Sequence, residues 1–442
     1  MGITRRTLIA VPGGVAVAAA VTTPATAGRG RPPRPAIFIH GSAGSAMQFR
    51  VQAKRLASNG YPAGIVEAHE YDSPNIVAIL QQVWAGLDAR IERLLALTGS
   101  DQVDLLAHSL GTYVTQGYLN SSPERAARVA HYVNLDGRPA AALPGGVPTL
   151  AIWGEGDPAR TVAGATNVYF PAQSHTQTVS SKESFREIFR FLREREPHTT
   201  EVRAARVAYI SGRAVLFPSN AGVNEPGNAG VNGPGNAGVA EASLEIHRVS
   251  SRTGRRQGRA IRATVAADGT FGPVALAPHE RYEFALLRPG QSTHHFYFEP
   301  FRRSDSFVRL LTSRPGEGLG GLVDTSDRHT ALTFQRQKEW WGGEGDHLWI
   351  NGQDILNPAT APHARRVIGV FAFDDDSDGV SDLSAPLPEF IAQTFISGVD
   401  LFIPASARKS VRIVAQERGG GRTSLPVPAW PSSGHRISVE FG

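Results

Sequence analysis

One feature constrains this chain more than any other, the alternation of two patterns between residues 34 and 197. Short runs rich in apolar residues, AIFIH (36–40), VDLLA (103–107), HYVNL (131–135), PTLAIW (148–153) and NVYF (167–170), are separated by helix-like stretches. Strands with no polar face to give to water must be covered on both sides, as in a parallel sheet between helices. The cover is legible too. A stretch from about Gln48 to Asn59 closes at Gly60. Ile76, Ile79, Leu80, Val83, Trp84, Leu87, Ile91, Leu94 and Leu95 keep helical spacing. A helix follows VDLLA to about Asn120, and Ser180-x-x-Glu183 reads as a capping box opening the last one. The prediction is a small α/β domain with a parallel sheet.

After Pro197 short β-type runs take over, from RVAYI (206–210) to RISVEF (436–441), with Gly, Pro, Asn and Asp between them. An all-β sandwich or barrel-like domain is expected there, which sets boundaries at 28–198 and 199–442. An octapeptide, NAGVNEPG, begins at Asn220 and recurs to residue 239, too briefly for a solenoid. It reads as a flexible loop over 220–239.

With 442 residues, 41% of them hydrophobic, the chain can bury two cores. A net charge of +5 and the lack of a basic, aromatic-laced cluster speak against a nucleic-acid partner. Residues 1–27 stand apart from the fold. Arg5 and Arg6 precede an apolar run from Leu8 to Val21, and a small-residue cleavage site ends at Ala27. A twin-arginine export signal and a secreted product are expected, with no transmembrane anchor left after cleavage, because the run is too short to span a bilayer. Cysteine is absent, so no disulfide supports the exported form.

The chemistry centres on Ala107-His108-Ser109-Leu110-Gly111, which follows a strand and opens a helix. A nucleophile elbow needs that context and small residues two positions either side of the serine, and alanine meets the need almost as well as glycine. HGSAGS (40–45) follows the earlier strand, where an oxyanion loop belongs, and the amides of Ser42 and Leu110 are the candidate donors. No Lys-Ser or Lys-Thr pair follows these glycines, so a phosphate loop is excluded. Of the 14 histidines, His175 lies between the last strand and the last helix, from where it can swing toward Ser109. His40, His69, His108 and His131 read as packing residues, His108 pointing away from the serine. For the acid, Asp136 after HYVNL and Asp157 after the next strand fit equally well.

FIHGSAGSAMQF, SNGYP, VDLLAHSLGT, NSSPERAARVAHYVNLDG and NVYFPAQSHTQTVSSKESF together resemble the archaeal long-chain lipase family, through most of residues 34–195. The likeness continues more loosely in HHFYFEPFRR, DDDSDGVSDL and VPAWPSSGHRISVEF. It implies an α/β-hydrolase core with a C-terminal β-rich lipid-binding domain, Ser109 as nucleophile, His175 as base, and Asp136 ahead of Asp157 as acid. In one respect the chain departs from the family: Asp72 is followed almost at once by the helix near Ile76, which leaves no room for a lid. That departure favours a general carboxylesterase over a strict lipase.

In the second half, Asp374, Asp376, Asp378 and Asp382 alternate around Gly379, as a structural calcium site or a solvated acidic turn would. Trp340, Trp341, Trp349, Phe296, Tyr297 and Phe298 read first as strand packing and second as a lipid or polymer contact. The expected activity is cleavage of a small-molecule, lipid or polyester ester by a Ser-His-Asp set that requires no cofactor. The competing readings are a lipid- or polymer-binding protein with a vestigial core, and a thioesterase or amidase.

Overall fold

The structure, a computed structural model, describes residues 32–225, 241–314 and 316–442. The export signal expected over 1–27 and the repeat beyond residue 225 lie outside the described residues. The fold lies within the unit Arg34–Gly442.

Six parallel strands form the first sheet: β1 (Ala36–Ile39), β2 (Val66–His69), β3 (Val103–His108), β4 (Val129–Leu135), β5 (Thr149–Trp153) and β6 (Thr166–Tyr169). Their order is β2-β1-β3-β4-β5-β6, so the winding reverses between β1 and β3. The crevice beyond the carboxyl ends of those two strands is where such sheets gather their chemistry. Helix α1 (Arg50–Ser58) and the helix Lys182–Arg193 cover one face, closing a core of Phe38, Phe49, Leu56, Val133, Phe185 and Phe189. Helices α2 (Ile76–Thr98) and α3 (Leu110–Ser121) cover the other, over Ile37, Ile39, Leu87, Leu105, Val114 and Tyr118. Gly60 and Gly99, at φ +94° and +65°, end α1 and α2 in the left-handed conformation that glycine reaches without strain. The last helix is capped by Ser181, which accepts from the Ser184 amide, and not by Ser180, whose hydroxyl donates to the Gln337 carbonyl. Between β2 and α2 there is only a single short 3-10 turn, Ser73–Asn75, and no lid insertion.

The second half is β-rich, built on an eight-stranded mixed sheet. The chain's last strand, His435–Phe441, enters that sheet parallel to both Thr293–Phe298 and Leu332–Arg336. Strands Ala208–Leu216, Thr270–Leu276 and Asp305–Thr312 form a second layer. The two halves share their interiors. Met47 packs in the β-rich core with Ile210, Phe284 and Phe298, while Phe307 packs edge-on against Phe38 at 6.0 Å. Trp340, Phe296, Tyr297 and Phe298 are buried within strands or their packing. Trp341 lies between the Arg418 guanidinium, 3.6 Å from its ring centre, and the His363 ring at 3.7 Å.

Candidate active site

Ser109 stands between β3 and α3 at φ 51° and ψ −120°, a conformation that costs a non-glycine residue about 1–3 kcal/mol. The surroundings impose it. The Ser109 amide donates to the Leu135 carbonyl, and the Ser109 carbonyl accepts from both the amide and hydroxyl of Thr112. A Cβ at Gly111 would lie 2.4 Å from the Ile39 carbonyl oxygen and 2.6 Å from that of His40. Those are backbone atoms of the neighbouring strand, so glycine is obligatory there. Ala107, two residues before the serine, is fully buried beside Ile39 and Leu105, and its methyl group is accommodated.

His175 and Asp136 meet. The imidazole Nδ1 is 2.6 Å from Asp136 Oδ2, and the other carboxylate oxygen accepts from the Gly154 amide at 2.8 Å and Arg160 at 2.9 Å. Burial pushes the Asp136 carboxyl up, but the bond to His175, the imidazole charge, the Gly154 amide and Arg160 carry it below its ordinary value. Asp136 itself is left-handed, at φ 44°. Asn134 sets that turn, accepting from the Gly137 amide and donating to the Arg138 carbonyl. Asp157 lies elsewhere. It is exposed, and its carboxylate caps its own turn by accepting from the Ala159 amide. Its carbonyl receives Arg160 Nε, so the turn it builds directs Arg160 toward Asp136.

His108 is a packing residue, as the sequence suggested, but one set against the base. It is buried, its ring 4.5 Å from that of His175, and its Nε2 donates to the His175 carbonyl. Burial, reinforced by the facing His175, holds its pKa well below the usual value, so it is a neutral support. His40 is structural as well, with Nδ1 donating to the Gly41 carbonyl and Nε2 accepting from the Tyr71 amide.

The loop after β1 approaches the elbow closely: a Cβ on Gly41 would lie 3.0 Å from Ser109 Cβ. Gly44 donates to the Gly41 carbonyl and Ala43 to Ser73 Oγ, whereas the Ser42 amide has no acceptor among the described residues. Leu110 is the first residue of α3, where an N–H finds no carbonyl one turn back. A cavity of about 140 Å³ opens behind this loop, between Ala43, Gly44 and Met47 and the β-rich residues Leu311, Arg436 and Ile437. Neither Ser109 nor His175 lines it.

The acidic turn does not present a metal cage. Asp374 accepts from the Gly379 amide, Asp378 from Val380 and Asp382 from Ser384, and the Asp376 amide donates to Asp324. Among the described residues no three His, Cys, Asp or Glu side chains converge on a point that could hold an ion. No described helix is long and apolar enough to cross a membrane.

Three residues near the site carried no sequence signal that would place them there. Asn220, the first residue of the octapeptide repeat, is buried and donates to the Gly44 carbonyl at 2.8 Å and that of Tyr71 at 3.3 Å. Glu339 and Arg418 contact the loop that carries His175.

Residues 33–122 match the family model for class 2 lipases, and residues 206–315 match that for the lipase C-terminal domain. A further model, described only as a C-terminal domain, matches residues 318–442. No curated protein matches the chain. Among solved structures, lipase B of Aspergillus fumigatus aligns at 15% identity and TM-score 0.31, over 40% of this chain and 56% of that one. This chain thus spans little more than half of the fungal lipase's length. Phospholipase PlaB of Legionella pneumophila aligns at 9% identity and TM-score 0.27, over 63% of this chain and 92% of that one. Such low scores carry no argument, and the sheet order and the two lipase matches do. By these the chain has an α/β core with a parallel sheet, similar over residues 33–122 to class 2 lipases, followed by a β-rich part similar over residues 206–315 to the lipase C-terminal domain.

Proposed function

We propose that this hydrolase is an exported serine enzyme that cleaves carboxylic esters through an acyl-enzyme. Ser109 Oγ attacks the ester carbonyl while His175 Nε2 takes its proton. The carbon–oxygen bond to the alcohol then breaks, and the alcohol leaves with that proton. Water repeats the sequence on the acyl-enzyme, giving a proton to Nε2, and the acid departs as Ser109 recovers its own. Asp136 fixes the tautomer that leaves Nε2 able to accept, and stabilises the imidazolium. The Ser42 and Leu110 amides receive the charge on the tetrahedral oxygen. Each of these steps uses only groups of this chain.

Two observations on one sheet carry the reading, a strained serine in the turn between β3 and α3 and an imidazole bound at 2.6 Å to the buried carboxylate that follows β4. The short link between β2 and α2 leaves the crevice without an inserted cover, so soluble short esters are substrates as well as lipid or polyester ones. Ser109→Ala is the test. Turnover of p-nitrophenyl esters is expected to vanish, and undiminished turnover would overturn the assignment. A profile of acyl length, from acetate to long-chain triglyceride, then separates esterase from lipase.

A further inference from the structure

We infer that Glu339, a residue of the β-rich half, is a positioning residue of the hydrolase site that holds the loop carrying His175. The inference rests on the serine-hydrolase reading above.

Glu339 is fully buried. Its Oε1 accepts from the Thr176 amide at 2.7 Å, and its Oε2 accepts from the Thr176 hydroxyl at 2.7 Å and from the Ser174 hydroxyl. The three bonds bracket His175 on both sides. A buried carboxylate is costly unless a cation or several donors satisfy it. Two guanidiniums lie close by, yet both Arg336 and Arg418 donate to the Glu339 backbone carbonyl and pair with Asp346. Among the described residues the Glu339 side chain has no ion-pair partner, so the histidine loop supplies its compensation. Arg418 adds two bonds to the same loop, at 3.2 Å each, to Ser174 Oγ and Gln177 Oε1.

From the hydrolase side the loop has different anchors. His108 and Thr178 hold the His175 carbonyl, and Asp136 holds the ring. Asp136 therefore sets the orientation of the imidazole, and Glu339 sets where the segment carrying it lies above the sheet. A reacting group displaced by about 1 Å loses on the order of 100-fold in rate.

The test compares Glu339→Ala and Glu339→Gln with Arg303→Ala. Arg303 also bridges the halves, to Ser58 Oγ at 2.6 Å and the Ala57 carbonyl at 3.2 Å, but away from both catalytic loops. With a soluble p-nitrophenyl ester, Glu339→Ala is expected to lower kcat about 100-fold while KM stays within about two-fold. Inactivation by an organophosphate, which reports the nucleophilicity of Ser109, should slow in step. Glu339→Gln should recover part of the loss, because its amide oxygen still accepts from Thr176, and it carries the test if the alanine variant does not fold. Arg303→Ala should lower Tm without changing kcat. A Glu339→Gln or Glu339→Ala enzyme that is destabilised like Arg303→Ala but turns over at the parental rate overturns the proposal. If Ser109→Ala remains active, the serine-hydrolase reading itself falls, whatever the Glu339 variants do.

Discussion

At the scale of single residues, the two oxygens of Asp136 have separate work. Oδ2 holds the imidazole, while Oδ1 is pinned by the Gly154 amide and Arg160, so the carboxylate cannot rotate away from His175. Replacing it with asparagine presents an amide whose nitrogen cannot accept from Nδ1. Either the wrong tautomer is selected or the bond is lost. Asp136→Asn is therefore expected to cost about 10³–10⁴-fold in kcat. Asp157→Asn should change kcat by less than about two-fold, since the asparagine oxygen can still accept from Ala159 and leave the Arg160 turn intact. Parallel kinetics of the two variants decide the acid, and a larger loss at Asp157 would reverse the assignment.

At the scale of elements, the serine and the acid are tied together by the packing of α3 on the turn after β4. Thr112 Oγ1 donates to the Ser109 carbonyl and accepts from the Arg138 amide, so one hydroxyl braces both turns. Gly137 leaves the space for it: a Cβ there would lie 2.1 Å from Thr112 Cγ2 and 2.3 Å from Oγ1. Because that hydroxyl is bonded on both sides, Thr112 cannot swing clear. Gly137→Ala is expected to lower kcat by at least about ten-fold, with a loss of stability of about 1–3 kcal/mol. Kinetics alongside thermal melts check it, and an alanine variant with unchanged kcat would count against the brace. Five of the six parallel strands, the elbow and the loop after β1 were legible because each signal is local, an apolar run ended by small residues; β2, VEAH at the sheet's edge, has no such run. The Ser181 cap was misplaced by one residue because adjacent serines offer the same chemistry, and the choice lies in Ser180 meeting Gln337, distant in sequence. Glu339 gave no signal at all, and Asn220, expected with its repeat to lie in a flexible loop, is instead buried just ahead of the paired strand Ala221–Gly222. A glutamate between Lys338 and Trp340, or an asparagine in a polar repeat, acquires meaning only from partners more than 160 residues away in the first case and some 150 or more in the second.

At the scale of the whole molecule, the junction between the halves buries charge, and that makes stability depend on pH. Glu70, just beyond β2, is gripped by Arg213 and Arg309 from the β-rich half; burial pushes its carboxyl up, but the two arginines bring it down to about 2. Its contribution is present above the ordinary carboxylate range and fades as pH falls toward 2. Glu440, on the last strand, is the opposite case. Both of its oxygens are buried without a partner, and burial pushes it up to about 8 against the opposing pull of Arg50. The folded chain keeps it protonated where the unfolded chain would ionise it. Its penalty is thus absent below the ordinary value of 4.5 and grows as pH rises from there to about 8. Across that window each pH unit removes about 1.4 kcal/mol. Lys54, pushed down to about 7 by burial and by Arg50, titrates in the reverse sense and partly masks the slope in the parent. Comparing Glu440→Gln with the parent cancels that term. The gain in Tm of Glu440→Gln over the parent should be smallest near pH 4.5, widen up to about pH 8 and then level off. Thermal melts across that range test it, and a difference in Tm that stays constant with pH would show that Glu440 does not titrate there.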